Sequence, residues 1–382
     1  MKCSVGLHPT NSDDWERVLA DDYTRPPSPP DHEIWHRALR IVDLADELGF
    51  DNLWTTEHHV TPYGMIPNPL TFLSFVAGRT QNLGVGTSVM VLPWWQQPLR
   101  AAEEIAMVDT FLRGRELTIG VGRGIAKSEY DALGVDRSQG RERFREALDI
   151  IRLALREESF SYNGEHYQVS QTSMRPRPVH ADRIIDNMVG AFTSGDSLQM
   201  MADAGLGMMF TGGKPLEACA EDVALFNAAR RQRGLEPTKP IVVNFTLCTD
   251  SKTNADIGRK SFSRLSAEIG WHYKMGDAAQ FEGVKGYESY LQQAKEAAGK
   301  SITAFGRVDD LVLAGNPDEI IARLQPLLTS LAAKEVQFQF LFADIPLDLA
   351  ESSIRLFAKE VMPMVKELEV PLSEELSGMS VV

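Results

Sequence analysis

Asn52-Leu53-Trp54-Thr55-Thr56-Glu57-His58-His59 is a short apolar run that ends in a carboxylate and two imidazoles. Further along, Leu117-Thr118-Ile119-Gly120-Val121-Gly122-Arg123-Gly124 repeats the arrangement, with a glycine-flanked arginine at the end of the run. Buried strands that carry polar chemistry just past their ends are what a parallel sheet with helical crossovers produces. The first stretch offers a proton-handling pocket and the second an anion-binding turn. Together they point to an enzyme with a phosphorylated cofactor.

Working outward, strands are predicted over residues 3–7, 52–55, 83–89, 116–121, 241–248 and 336–342, and near Met188 and Met208. Helices fall between them. Trp35, Ala38, Leu39, Val42, Ala45 and Leu48 recur at helical spacing until Gly49 stops the run, and similar patterns cover residues 69–78, 98–111, 141–155 and 216–231. Strand-helix units that repeat without reversal predict an α/β fold, a closed (β/α)8 TIM barrel with insertions, as one domain over residues 1–382. The insertions are placed near 160–179, where Asn163-Gly164 signals a hairpin, and near 269–306, a candidate lid that carries Trp271, His272 and Tyr273.

Hydrophobic residues make up 43% and charged residues 24%, an ordinary globular balance. The formal charge of −14 argues against nucleic acid or an anionic membrane as the main partner. Cys3, Cys219 and Cys248 form an odd, scattered set that supports neither a disulfide framework nor a zinc ribbon. The first residues lack the features of a signal peptide, and no apolar run approaches the ~20 residues of a membrane span. A reducing, cytoplasmic setting is expected.

Each motif has a bland reading beside the sharp one. His58 and His59 are adjacent, so one is expected to face the barrel mouth while the other packs behind it, and a purely structural role is equally open. Gly122-Arg123-Gly124 suits a phosphate, yet a tight strand-to-helix turn explains the glycines as well. Arg141 opens the next helix. Ser194 and Ser197 begin a later one, where they either cap it or help to bind an anion. His32-Glu33-Ile34-Trp35-His36 has the spacing of a zinc-protease motif, which keeps a zinc hydrolase as a remote alternative, although no third ligand follows it on the helix.

The order and spacing of Glu57-His58-His59, Asn68-Pro69, Gly78-Arg79-Thr80, Gly86-Thr87, Val91-Leu92-Pro93, Pro98, Ala102-Glu103, Asp109, Gly114-Arg115 and Gly120 to Gly124 resemble the bacterial luciferase-like flavin-dependent monooxygenases. The likeness is strongest over residues 49–155. It implies reduced FMN delivered by a separate flavin reductase, dioxygen, a flavin hydroperoxide, and transfer of one oxygen atom to a small organic substrate. It also implies a homodimer and no catalytic metal.

On this resemblance His58 lies beside the reactive part of the flavin, with Glu57 and His59 supporting it. Thr87, Ser88 and Val89 border the ring system, with a non-prolyl cis peptide at Ser88-Val89. Arg123, Gly124, Arg141, Ser194 and Ser197 form the phosphate end. Glu129 lies just beyond that turn and can approach flavin or substrate. Gly122 stands where luciferase itself has a reactive cysteine, so light emission from a long-chain aldehyde is not implied. A deazaflavin-dependent hydride-transfer enzyme of the same barrel superfamily is the nearest alternative.

Overall fold

The computed structural model describes residues 1–192, 194–211, 216–285, 287–297 and 311–379. Its strands are β1 (Lys2–Leu7), β2 (Asn52–Thr55), β3 (Gly84–Val91), β4 (Leu117–Gly122), β5 (Phe160–Asn163), β6 (Gln168–Thr172), β7 (Val189–Ala191), β8 (Gly207–Phe210), β9 (Ile241–Cys248), β10 (Val312–Gly315) and β11 (Glu335–Gln339). β1, β2, β3, β4, β7, β8, β9 and β11 pair in that order, all parallel, and β11 returns to β1. These are the eight predicted strands, closed into a barrel. Since every strand runs the same way, every carboxyl end reaches one rim.

Alternation along the strands separates the two sides of the wall. Leu53, Val85, Leu117 and Val5 belong to the outer core, with Ala38, Ile41, Val42 and Ala45 of the helix Asp31–Glu47 and Ile105 and Val108 of the helix Pro98–Leu112. Trp54, Val189, Met209 and Ile241 instead pack together as a separate cluster inside the barrel. Gly86 makes room for Trp54, because a Cβ there would meet the indole at 2.5 Å. The large residue on one strand therefore requires the absent side chain on the next.

Three elements lie outside the ring. β5 and β6 form the antiparallel hairpin signalled by Asn163-Gly164, tied to the body where Glu146 accepts the backbone N–H groups of Glu165, His166 and Tyr167. β10, which the sequence pattern did not show, pairs parallel to the second half of β9. It leads into the helix Pro317–Leu331, started by a reciprocal cap between Asn316 and Glu319. The proposed lid region begins inside a long helix, Lys252–Tyr273, and continues through a short turn of helix at Ala278–Phe281 to the helix Glu288–Ala297. Residue 286 and residues 298–306 of that stretch lie outside the described residues. Among the described residues, no helix is long and apolar enough to cross a membrane.

At the amino-terminal end of the barrel Glu335 is buried and draws three neighbours together. Its Oε1 accepts from Ser4 Oγ at 2.6 Å, Asn52 Nδ2 at 2.9 Å and Trp54 Nε1 at 2.6 Å. Burial pushes the carboxyl pKa up, against the pull of these donors. Removing the acceptor leaves three buried donors unpaired. Glu335→Ala is expected to lose about 3 kcal/mol or more in urea denaturation, whereas Glu335→Gln, which keeps an acceptor oxygen, should lose much less.

Candidate active site

At the carboxyl-terminal rim a cavity of about 290 Å³ is lined by Glu57 and His58 after β2, Ser88 and Val89 on β3, Gly122 at the end of β4 with Arg123 and Gly124 after it, and Ser197. That is the low end of small-molecule sites, roughly 300–1,000 Å³. Phe245, Phe262, Phe342, Leu265 and Ile269 make an apolar wall, and Tyr273, Met275 and Tyr290 reach it from the region predicted as a lid.

The adjacent histidines diverge. His58 faces the cavity, with Nδ1 3.1 Å from Glu129 Oε1. His59 turns its ring edge-on to Trp94 and puts Nε2 3.2 Å from Glu57 Oε1. Glu57 is buried. Its other oxygen accepts the backbone N–H of Val91 at 2.6 Å, so the loop after β2 is fastened to the end of β3. Burial raises the Glu57 pKa even against these bonds.

Glu129 is the centre of the polar cluster. Oε1 accepts the His59 backbone N–H at 2.8 Å besides facing His58, and Oε2 lies 3.4 Å from His272 Nε2, an ion-pair distance with an angle too poor for a hydrogen bond. Burial alone would raise this carboxyl, but the charge of His58 and the approach of His272 outweigh it and hold the pKa at about 2. His8, at the end of β1, has its ring 5.4 Å from that of His58. Burial, aided by the charge of His58, lowers the His8 pKa to about 3, so that ring is neutral near neutrality.

The opposite corner of the site is cationic. Gly124 adopts φ +74°, which turns the chain behind Arg123. The guanidinium of Arg123 lies over the Tyr287 ring at 4.4 Å, and the Tyr287 hydroxyl donates to Gly124 O at 2.9 Å. Arg141 Nη2 donates to Asp196 Oδ2 at 3.2 Å, while its Nε is buried without a partner. Ser194 caps the helix Gly195–Asp203, accepting from the Ser197 N–H at 3.3 Å and donating to Ser197 Oγ at 3.0 Å. Gly140 opens the helix that carries Arg141 and backs onto Arg123, 3.5 Å from Cγ for a Cβ placed there. Arg123, Arg141, Ser194 and Ser197 thus gather in one corner. Its buried donor without an acceptor suits an anion such as the FMN phosphate.

The remaining candidates divide. The Ser88-Val89 peptide is cis, as the resemblance implies, and both residues line the cavity. Thr87 is buried in the wall, its hydroxyl bonded to Gly120 O at 2.7 Å, and it does not reach the cavity surface. His32, Glu33 and His36 are exposed on the helix Asp31–Glu47, whose Ile34, Ala38 and Ile41 face inward. Among the described residues their side chains belong to no cluster of three metal-ligating groups, which lends the zinc-hydrolase alternative no support. Sequence reasoning did not single out His8, Tyr63 or Tyr287, and it placed His272 only in the insertion. His8 was within reach, because it follows β1 as His58 follows β2. Tyr63, His272 and Tyr287 come from loops and insertions whose packing no local pattern reports.

The chain matches the luciferase-like monooxygenases over residues 20–334 and belongs to that family. It is 25% identical over 345 residues to the oxygenase component of flavin-dependent trigonelline monooxygenase from Acinetobacter baylyi, covering 88% of this chain and 92% of that one. Against two uncharacterised proteins of Sinorhizobium fredii, y4vJ and y4wF, it is 37% and 39% identical but spans only 40% of the length of each. Among solved structures, the monooxygenase RslO1 from Streptomyces bottropensis superposes with a TM-score of 0.74 at 24% identity, covering 96% of this chain and all of that one. An F420-dependent secondary alcohol dehydrogenase superposes with a TM-score of 0.68 at 12% identity over 95% of this chain and 99% of the other. These likenesses show the shared barrel.

Two consequences can be measured. A Cβ on Gly122 would lie 2.5 Å from Val89 Cγ2, so Gly122→Cys should lower thermal stability by about 1–3 kcal/mol, and adding Val89→Ala should restore part of it. The second concerns Glu268, buried on the helix Lys252–Tyr273 with Arg264 Nε 3.4 Å away and its pKa raised by burial to about 7. An unfolded glutamate titrates near about 4.3. Between these values the folded state keeps a proton that the unfolded state releases, so stability falls as pH rises through that window. Urea midpoints at pH 5 and 8 should differ less in Glu268→Gln than in the parent.

Proposed function

We propose that this chain is the oxygenase component of a two-component flavin-dependent monooxygenase, which takes reduced FMN from a separate flavin reductase and uses dioxygen to oxygenate a small organic substrate. The observation that carries the reading is one cavity with His58 on one wall and the Arg123–Ser197 corner on another. Family membership supports it, as does a relative whose own name is that of an oxygenase component. The same resemblance supports a homodimer.

When bound, reduced FMN supplies the electron pair that activates dioxygen. The chain's residues do the rest. Arg123 and Arg141, with the hydroxyls of Ser194 and Ser197, hold the phosphate as charge-assisted donors at a helix start. Ser88 and Val89 support the ring from β3. His58, with Nδ1 committed to Glu129, keeps Nε2 for a proton at the reacting end. Glu57 and His59 stiffen the loop that carries it. Phe245, Phe262 and Phe342 pack edge-on to one another and keep the substrate side apolar, which disfavours water beside a reactive oxygen species.

Arg123→Ala is expected to weaken reduced FMN binding by roughly tenfold or more while riboflavin binding changes little. His58→Gln should leave reduced FMN affinity within about twofold and cut product formation by roughly a hundredfold. Rapid-mixing absorbance with an oxygen electrode, over a panel of candidate substrates, reads both. Parent protein that binds a reduced deazaflavin productively and consumes no oxygen with reduced FMN would overturn the reading.

A further inference from the structure

His272 enters the site on the last turn of the helix Lys252–Tyr273 and is buried. Its Nε2 faces Glu129 Oε2 at 3.4 Å, and its Nδ1 lies 3.2 Å from Thr61 Oγ1. Glu129 in turn holds His58 and the His59 N–H on its other oxygen. The result is one continuous chain, Thr61, His272, Glu129, His58, that ends at the cavity.

Proton positions follow from donor chemistry. A carboxylate only accepts, so His58 Nδ1 and His272 Nε2 both carry a proton toward Glu129. Burial lowers the proton affinity of His272, and with its proton on Nε2 the ring leaves Nδ1 to accept from the Thr61 hydroxyl. A His58 ring that carries its single proton on Nδ1 has its lone pair on Nε2. No two donors in the chain then face each other.

We propose that His272 is a positioning residue for His58: by facing the second oxygen of Glu129 it fixes how that carboxylate is turned, and with it the His58 tautomer whose Nε2 is the base. Its place in a reaction rests on the monooxygenase reading, while the tautomer itself does not. Other groups face the cluster from every side. His8 lies beside His58, and the Tyr63 ring stacks on His272 at 4.8 Å. Tyr273 is edge-on to His272, Glu57 and His59 close the far side, and the charge of Glu268 reaches Tyr63. None of them bonds Glu129 Oε2, so His272 is the group that acts there.

The test uses the full chain labelled with ¹⁵N-histidine, with the His58 signals assigned by their loss in His58→Gln. The parent should show His58 protonated on Nδ1. His272→Leu should show a mixture of tautomers, and His272→Gln, which returns an N–H donor, should restore the single form. If the leucine variant does not fold, His272→Asn, polar but too short to reach Glu129, reads the same effect.

An unchanged His58 tautomer in His272→Leu overturns the proposal. So does one equivalent of a divalent metal retained by the parent and lost in that variant, since the ligand atoms of His58, Glu129 and His272 lie within 4.8 Å of one another. Failure of the parent to consume oxygen with reduced FMN would instead sink the functional reading, with the tautomer measurement still standing.

Discussion

Closure of eight parallel strands is the constraint from which the site follows. A closed ring has no edge to protect, and its common strand direction delivers the residues after β1, β2, β3 and β4 to one rim. His8, His58, Ser88 and Arg123 are far apart in the chain and meet only because their strands are neighbours in the ring. The inner cluster of Trp54, Val189, Met209 and Ile241 fills the barrel beneath them. It gives the cavity a solid floor.

The two ends of the barrel treat buried carboxylates differently. Glu335, at the amino-terminal end, gathers Ser4, Asn52 and Trp54 on one oxygen and, among the described residues, has no opposite charge bonded to it. That arrangement knits strands together. Glu129, at the rim, is held between His58 and His272, and charge wins over burial there. A low-dielectric setting makes such a cluster sensitive to every missing partner.

Much of this was legible in the sequence. The eight barrel strands were placed by apolar runs and the intervening helical periodicity, and the turn chemistry of Asn163-Gly164 marked the hairpin. The motifs from Glu57 to Gly124 carried the family. β10 escaped because four apolar residues, Val312–Gly315, carry no period that separates a strand from a helix start. The HEIWH match was kept only as a remote alternative, since a pattern of two imidazoles one turn apart does not say which face of the helix they occupy. Here the apolar residues take the inward face and the imidazoles are left outside.

What the sequence determined by itself was the repeating strand-helix order, the family, and the residues that follow β2 and β4. Those are local properties, set by spacing and side-chain type. Only the tertiary structure decided that Glu129 joins His58 to His272 and that Tyr287 lies against Arg123. Direction and partnership across more than a hundred residues depend on how the loops and the long helix pack over the rim, and no periodicity within a segment encodes that.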